Sequence, residues 1–411
     1  MKDDEYAASY GNLAVHKTML TDRPRMEAYF KSIIFNKEYF DDSVVMDIGT
    51  GTGLLAMWVG MYTEARRVIA VEQNRELADL ASKLVARNGL ADRVEVKHCK
   101  VEDFREVEDH SVDIILSEWM GHYLLHEGFL DSVVYARNKF LRKGPKVRNP
   151  NLEIWRSKNC QGLLFPSEAT IYGSVTYLSP LEADGGWDES LFFGLDLAPL
   201  ATARNMVDAE SGTMCISQMG EPQIRYLSRR PDNEVVVAKL DMASIECSSL
   251  NDLSCQRTVT FTREAPANCF ALSFTCTFPS KPTAESKSAS DVKGHTTRET
   301  ATARETTTAR ETATARETTT TGKATTSRPS LLTRSGVVSD AHIILDTRPG
   351  MPKTHWMQTL IMFDTLPVHP CLQLVFNVQL MREKKTDRSY VVGFEVTDVL
   401  EANAEVIQEA C

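Results

Sequence analysis

A glycine-rich turn between a buried strand and a helix constrains this chain more than any other feature. The run SVVMDIG (residues 43–49) is apolar apart from one aspartate and ends in glycine, as a strand covered on both faces of a parallel sheet does. The segment LLAMWVGMYTEA (residues 54–65) follows at once and predicts a helix. This order predicts an α/β domain with a largely parallel sheet.

The same alternation continues downstream. Three further segments have the composition of buried strands: RVIAVE (67–72), RVEVKHCKVED (93–103) and VDIILSEW (112–119). Beyond them Phe129, Val133, Ala136 and Phe140 recur at helical spacing, and Gly144 is expected to end that helix.

The second half of the chain has the period of half-buried strands. In CFALSFTCTF (269–278), large apolar residues alternate with small or polar ones. Similar segments are TIYGSVTYL, EVVVAKLDM, RTVTFT, WMQTLIMFD, CLQLVFNVQL and YVVGFEV. These segments predict a β-rich domain, a sandwich or a barrel, from about residue 163 to the end.

Composition narrows the classes of partner. The net charge of −10 does not favour broad attraction to nucleic acid or to an anionic membrane, and it suits basic partners better. No run approaches the ~18 apolar residues of a membrane span, and the polar start MKDDEYAASYG is unlike a secretory signal. Nine cysteines form no CxxC pair and no metal-like cluster with histidine. We therefore expect an intracellular protein, cytoplasmic or nuclear, with reduced thiols, no metal and no direct nucleic acid ligand.

A low-complexity segment interrupts the β-rich half. From Arg298 the tetrad RETA or RETT recurs every six residues, and residues 279–336 contain almost no large apolar side chain. Such a segment cannot offset its ordering entropy, so we expect it to be disordered. It is interpreted either as simple repeat expansion in a surface loop or as a phosphorylated or docking segment.

The glycine turn indicates a nucleotide-like cofactor. Gly49, Gly51 and Gly53 allow a sharp turn and a close approach of the backbone to a ligand. Glu72 ends the second strand at the separation where an acidic residue binds ribose hydroxyls. The spacing GxGxG differs from the dinucleotide fingerprint GxGxxG and favours S-adenosylmethionine. A nicotinamide or flavin cofactor and simple turn glycines stay open as alternatives.

Two glutamates flank an apolar hairpin, SEWMGHYLLHEG (residues 117–128). Burying a carboxylate among such neighbours is costly unless a matching charge is present. Taken alone, Glu118 and Glu127 could still be ordinary surface salt-bridging residues.

Three separated motifs in order give a resemblance. The hairpin, the segment YAASYGNLAVHKTMLTDRPR (6–25) and the segment KTHWMQT (353–359) resemble those of the protein arginine N-methyltransferase family. Within that family the chain resembles the type I members, and the Leu-Leu-His-Glu part of the hairpin is most similar to the sixth family member.

The resemblance implies a two-domain architecture. Residues 1–162 would form an N-terminal helix and a Rossmann-type S-adenosylmethionine-dependent methyltransferase domain, with a basic insert at 145–161. That insert is expected to be a solvated loop, with contact to substrate or nucleic acid as the alternative. Residues 163–411 would form a β-barrel substrate domain. Its dimerisation arm would span about 185–215, although Trp187, Phe192 and their neighbours could instead be the core of a loop.

The resemblance also implies roles for individual residues. Glu118 and Glu127 would bind the substrate guanidinium, His355 with Asp22 would dispose of the released proton, and Trp356 would wall the substrate channel beside Tyr6. The residues expected at the cofactor are His16, Arg25, Gly49, Gly51, Glu72, Val101, Glu102, Tyr10 and Met19.

The implied activity is methylation of arginine in proteins, with Arg/Gly-rich segments or histone tails as substrates and a homodimer as the assembly. Departures from the family pattern are Ala7 for phenylalanine, His122 for tyrosine and Phe129 for methionine, and the last leaves the product type open. Two alternatives remain: a catalytically silent scaffold or activating partner, and a methyltransferase acting on small molecules or nucleic acid.

Overall fold

The computed structural model describes residues 13–144, 162–178, 223–280, 342–382, 384 and 388–401. The chain divides into two compact units, Met1–Ser280 with His342–Cys411, and Lys281–Ala341. The second unit lies outside the described residues, as do Tyr6, Tyr10, the insert at 145–161 and the expected arm. No helix in the described ranges is long and apolar enough to cross a membrane.

From residue 13 onward, where the description begins, three helices precede the first strand: α1 (Leu13–Thr21), α2 (Arg23–Phe35) and α3 (Lys37–Phe40). The Asp22 carboxylate caps α2 by accepting a hydrogen bond from the Arg25 backbone N–H at 3.1 Å, and a proline stands in the first turn. The inner face of α2 carries the fully buried side chains of Tyr29 and Ile33.

A parallel sheet forms the first half of the chain, as predicted. Its strands are β1 (Val44–Ile48), β2 (Arg67–Glu72), β3 (Val94–His98), β4 (Ile114–Ser117) and β5 (Leu163–Phe165), in the order β3-β2-β1-β4-β5. The helices between them are α4 (Leu54–Tyr62), α5 (Arg75–Arg87) and α6 (Leu130–Phe140). Every residue of the central strand β1 is buried, because strands and helices cover it on all sides.

Two boundaries differ from those predicted from the sequence. Helix α6 ends at Phe140 rather than near Gly144, because Leu141 is extended and forms a parallel bridge with Val112, which draws the chain into the sheet. The parallel sheet also extends past residue 163, since β5 pairs in parallel with β4. The antiparallel part therefore begins at Glu168.

Two antiparallel sheets make up the second half. Their strands are β6 (Glu168–Thr176), β7 (Gln223–Arg225), β8 (Val235–Asp241), β9 (Cys255–Thr260), β10 (Ala265–Thr277), β11 (Ile344–Asp346), β12 (Gln358–Val368), β13 (Leu372–Met381) and β14 (Val391–Glu401). One sheet has the order β7-β12-β10-β6-β8, with β11 on β10, and the other has the order β14-β13-β9. Phe270 of β10 stacks on Phe394 of β14 at 4.5 Å between ring centroids, so one core joins both sheets. The predicted barrel-type domain is confirmed.

Candidate active site

The glycine turn follows β1 at the carboxyl end of the sheet. Gly49, Gly51 and Gly53 all have left-handed φ angles, of 67°, 56° and 79°. A Cβ atom on Gly49 would lie 2.6 Å from the ring of Phe129, so a side chain is excluded there both by conformation and by space. The turn therefore keeps an open backbone surface toward the cavity that it borders.

Glu72 holds this turn in place from the end of β2. Its carboxylate accepts hydrogen bonds from the backbone N–H groups of Gly51 at 2.9 Å and Asn74 at 2.8 Å. Burial raises the pKa of Glu72, although these two hydrogen bonds oppose the shift. Each oxygen keeps a second lone pair, which a pair of hydroxyl donors could use.

Asp47 supports the glycine turn and was not predicted from the sequence to do so. Its Oδ2 accepts hydrogen bonds from the Thr50 hydroxyl at 2.6 Å and the Ala56 backbone N–H at 3.2 Å, so it ties the glycine turn to α4. Burial raises the pKa of Asp47 to about 7, against the effect of both hydrogen bonds. The available signal was a carboxylate inside an otherwise apolar strand.

Val101 and Glu102 lie beside the glycine turn on a short 3-10 helix, Val101–Asp103. Val101 is buried, and Glu102 Oε1 accepts a hydrogen bond from the Ser132 hydroxyl of α6 at 2.7 Å. The Tyr135 hydroxyl donates to the Glu102 carbonyl at 3.1 Å. Helix α6 thus fixes this wall of the cavity.

The first hairpin glutamate binds an arginine of the same chain. Glu118 Oε2 accepts hydrogen bonds from Arg25 Nη2 at 2.7 Å and Nε at 3.1 Å, and its Oε1 accepts from the Met120 backbone N–H at 3.3 Å. Arg25 Nη1 donates to the Met19 carbonyl at 3.0 Å. Both charged side chains are nearly buried, so each requires the other as a counter-charge. The expected cofactor residue Arg25 therefore also contacts the expected catalytic carboxylate.

The second hairpin glutamate stands on an unusual turn. Glu127 has a φ of 77°, and Tyr123 and Leu124 before it have φ angles of 45° and 76°. Non-glycine residues adopt this region only where surrounding contacts enforce it. Glu127 nevertheless reaches the same cavity as Glu118.

One cavity unites most of the predicted site residues. Within the described part of the chain it is lined by His16, Met19, Arg25, Gly49, Gly51, Glu72, Val101, Glu102, Glu118 and Glu127. The glycine turn with Glu72 forms one end, and the two hairpin glutamates form the other. Such a cavity can hold a ligand that places one part on the turn and its reacting part against the carboxylates.

Asp22, His355 and Trp356 lie behind the hairpin and are not among the described residues that line this cavity. His355 Nδ1 is 2.6 Å from Asp22 Oδ2, and the His355 backbone N–H donates to the same oxygen at 2.8 Å. Burial acts to raise the pKa of Asp22, but the hydrogen bonds from His355 and Arg25 outweigh it and lower the pKa.

Trp356 supports the hairpin, and its expected place on the wall of a substrate channel stays a prediction. Its Nε1–H donates to the Met120 carbonyl at 2.9 Å, and the side chain is buried. His122 Nδ1 is 3.3 Å from the Trp356 carbonyl, and the Tyr29 hydroxyl donates to the Ser117 carbonyl at 3.0 Å. His122 and Tyr29 were not predicted as site residues, because both act through backbone groups of partners distant in sequence.

Comparisons with known proteins agree with this architecture. A protein-family model described as "Methyltransferase domain" matches residues 45–144. The chain is 29% identical over 400 residues to "Probable protein arginine N-methyltransferase 6" of Arabidopsis thaliana, covering 96% of this chain and 78% of the relative. It is 32% identical over 297 residues to "Probable protein arginine N-methyltransferase 6.1" of Oryza sativa subsp. indica, covering 71% of this chain and 69% of the relative.

Two solved structures share the fold. The Trypanosoma brucei PRMT1 enzyme-prozyme heterotetrameric complex with AdoHcy has a TM-score of 0.60 at 20% identity, covering 95% of this chain and 100% of that chain. Arabidopsis thaliana protein arginine methyltransferase 10 has a TM-score of 0.59 at 20% identity, covering 96% and 100%.

The glycine turn on a parallel sheet, within a matched methyltransferase domain, defines a methyltransferase. The identity to the rice relative over most of that protein's length makes the assignment narrower, and the chain belongs to the protein arginine N-methyltransferase family.

Proposed function

We propose that this chain transfers methyl groups from S-adenosylmethionine to guanidino nitrogens of arginine in protein substrates. The observation that carries the proposal is that the Arg25 guanidinium donates two hydrogen bonds to Glu118 Oε2, from Nη2 at 2.7 Å and from Nε at 3.1 Å. Both residues line the cavity that the glycine turn also lines. A carboxylate that already binds one guanidinium beside a cofactor turn has the chemistry to bind another.

The residues of the cavity fit this cofactor. Glu72 would accept hydrogen bonds from the ribose hydroxyls, and Val101 with Glu102 would contact the base. Gly49 and His16 would border the methionyl part, and Arg25 would bind its carboxylate. A Cβ on Gly51 would lie 3.5 Å from the His16 ring, so the cavity is narrow between these two residues. When bound, S-adenosylmethionine supplies an electrophilic methyl group on its sulfonium.

The two glutamates would activate the acceptor. A guanidinium has a pKa above about 12 and is not deprotonated wholesale at neutral pH. Glu118 and Glu127 would accept its N–H groups and localise the positive charge away from one terminal nitrogen, whose lone pair would then be available to take up the methyl group. The low-dielectric surroundings strengthen each of these contacts.

Methylation leaves one proton to be released from the product guanidinium. Asp22 holds Nδ1 of His355, so Nε2 is the ring atom able to take that proton. Burial acts to raise the pKa of Asp22, but the hydrogen bonds from His355 and Arg25 lower it further than burial raises it. Asp22 therefore stays ionised at neutral pH and would stabilise the protonated imidazole.

We expect ω-monomethylarginine and the asymmetric dimethyl form as products. The Phe129 ring packs against Gly49, and Met19 of α1 lines the same cavity. We expect the size of these two side chains to decide whether a second methyl group fits on the same nitrogen.

Incubation with labelled S-adenosylmethionine and an Arg/Gly-rich or histone-tail peptide, followed by hydrolysis and amino-acid analysis, tests the activity. Label should appear in monomethylarginine and asymmetric dimethylarginine, and the same peptide with lysine for arginine should stay unlabelled. A chain that binds the cofactor but labels neither peptide would be a silent partner rather than an enzyme.

A homodimer is proposed as the working assembly. The described surface carries an aromatic cluster in which Phe30 packs edge-on against Trp58 and Tyr62, at 5.1 and 5.5 Å, and Tyr62 is 37% exposed. Such a surface suits an apolar arm from a second copy. Sedimentation should give twice the chain mass, and Trp187→Ala with Phe192→Ala should shift it toward monomer. A monomeric wild type with full turnover would refute the assembly.

A further inference from the structure

The turn that carries Glu127 is held by arginines from the far end of the chain. Arg388 Nη1 donates a hydrogen bond to the Glu127 carbonyl at 2.9 Å. A Cβ on Gly128 would lie 3.1 Å from the Arg388 Cα, so the backbones of the two segments are in direct contact. Arg388 therefore packs against the peptide unit next to the glutamate.

A second arginine anchors the same corner. Arg382 Nη1 lies 2.6 Å from Asp131 Oδ2 in the first turn of α6, and its guanidinium lies 5.0 Å over the Tyr390 ring. The Arg382 side chain is 2% exposed and that of Asp131 is 36% exposed, so the ion pair lies at the edge of the core. The Tyr390 hydroxyl donates to the Leu250 carbonyl at 2.7 Å. Arg382 and Tyr390 are thus both anchored close to Arg388 in sequence.

The Glu127 turn needs such support. Its φ of 77°, after those of Tyr123 and Leu124, places three non-glycine residues of one short loop in the left-handed region. Residues in this region are strained, and they persist only where neighbouring contacts enforce the conformation. Rotation of this turn would swing the Glu127 side chain away from Glu118. The bond to the Glu127 carbonyl opposes that rotation directly.

We propose that Arg388 is a positioning residue, which holds the Glu127 carbonyl so that the Glu127 carboxylate faces the cavity. The inference rests on the proposed function, in which Glu127 binds the acceptor guanidinium. Arg388 acts through Glu127 and touches no reacting atom. The antiparallel half of the chain would in this way set the geometry of a residue on the parallel-sheet half.

The test uses the whole chain with an arginine peptide and five variants, one of which is Glu127→Gln alone as the background for a double variant. Arg388→Met removes the donor while keeping an apolar stem, and Arg388→Lys keeps a cationic donor. Arg263→Met is the matched control, because Arg263 is exposed and pairs with Asp232 instead of the hairpin. Each is compared with wild type for kcat, peptide KM, S-adenosylmethionine Kd and Tm. Arg388→Met is also combined with Glu127→Gln.

Arg388→Met should lower kcat about tenfold, the effect of one lost hydrogen bond from a charged donor. Cofactor Kd should stay within about twofold, Arg388→Lys should recover part of the rate, and Arg263→Met should match wild type. In the Glu127→Gln background, Arg388→Met should cost less than about twofold, because the carboxylate that it positions is already lost. A merely structural role would lower Tm and cost the same factor in both backgrounds.

Wild-type kcat in Arg388→Met, or an equal loss in both backgrounds, would overturn the inference while leaving the proposed function intact. Should Arg388→Met fail to fold, Arg388→Lys takes its place in the cycle under the same criterion. A wild-type chain that methylates no arginine would overturn the proposed function, and this inference with it.

Discussion

The two ends of the cavity are built in different ways. At the glycine turn, Asp47 bonds to Thr50 and Ala56, only 3 and 9 residues away, and Gly51 bonds to Glu72 at a separation of 21. These three hydrogen bonds lie within one strand–helix–strand unit, β1–α4–β2.

The hairpin end depends on distant segments. Arg25 and Glu118 are 93 residues apart in sequence, Met120 and Trp356 are 236 apart, and Asp22 and His355 are 333 apart. The hairpin end therefore needs both halves of the fold at once. Changes near the glycine turn should act on cofactor affinity, whereas changes around the hairpin should act on turnover.

Glu118→Gln should produce the largest loss. Glutamine keeps the shape and reach of the side chain but removes the charge that would bind the acceptor. A loss of ~3–4 kcal/mol at the transition state corresponds to ~10²–10³ in kcat. Steady-state kinetics with an arginine peptide measure this loss. Glu95→Gln, which breaks an ion pair with Arg67 between β2 and β3, is the control and should keep nearly full turnover. A Glu118→Gln variant as active as this control would contradict the proposed role.

His355→Gln and Asp22→Asn should each lower turnover about 10²-fold, the usual size of a general acid–base contribution. The two act as one unit, so the double variant should be little worse than either single variant. A fully additive double variant would mean that the two residues serve different purposes.

Asp22 also affects stability in a defined direction. Burial acts against its ionisation, but the hydrogen bonds from His355 and Arg25 lower its pKa below the ordinary value of 3.8. Its contribution to the free energy of unfolding is therefore present above about pH 3.8 and is lost as pH falls through the lowered value. Urea unfolding should find Asp22→Asn less stable than wild type at pH 7 and closer to it at pH 3. An equal difference at both pH values would contradict the ion pair.

Asp47→Asn should give the smallest effect, and one confined to stability. Burial raises the pKa of Asp47 to about 7, so the wild type loses stability as pH rises between the unfolded value of 3.8 and 7. The slope for one such group is ~1.4 kcal/mol per pH unit. Asparagine can accept the same two hydrogen bonds without titrating. In urea unfolding without cofactor, the free energy of unfolding of Asp47→Asn should rise relative to that of wild type between pH 5 and pH 7. A difference that stays constant over this range would refute the prediction.

The difference between the two ends also explains what could be predicted from sequence. Gly49, Gly51 and Glu72 were predicted from local spacing, because all three lie within one strand–helix–strand unit. The pairing of Asp22 with His355 came only from family resemblance. The bonds of Arg25 to Glu118 and of Arg388 to the Glu127 carbonyl follow no local period, so no pattern in the sequence reveals them.

Helix α6 illustrates the same limit at a boundary. Helical periodicity and Gly144 suggested a later end, but the bridge between Leu141 and Val112 ends the helix at Phe140. Tertiary pairing overrides local propensity there.

The most direct test of the account measures two quantities on two variants, Glu127→Gln and Glu72→Ala. Glu127→Gln should lower kcat at least ~10²-fold with S-adenosylmethionine Kd within about twofold of wild type, since only acceptor activation is lost. Glu72→Ala should raise that Kd about tenfold or more, with kcat at saturating cofactor within a few-fold of wild type, because the lost hydrogen bonds serve binding. Calorimetry and single-turnover kinetics on the same preparations give both values. If each variant instead shifts Kd and kcat together, the two ends are not separate and the account is contradicted.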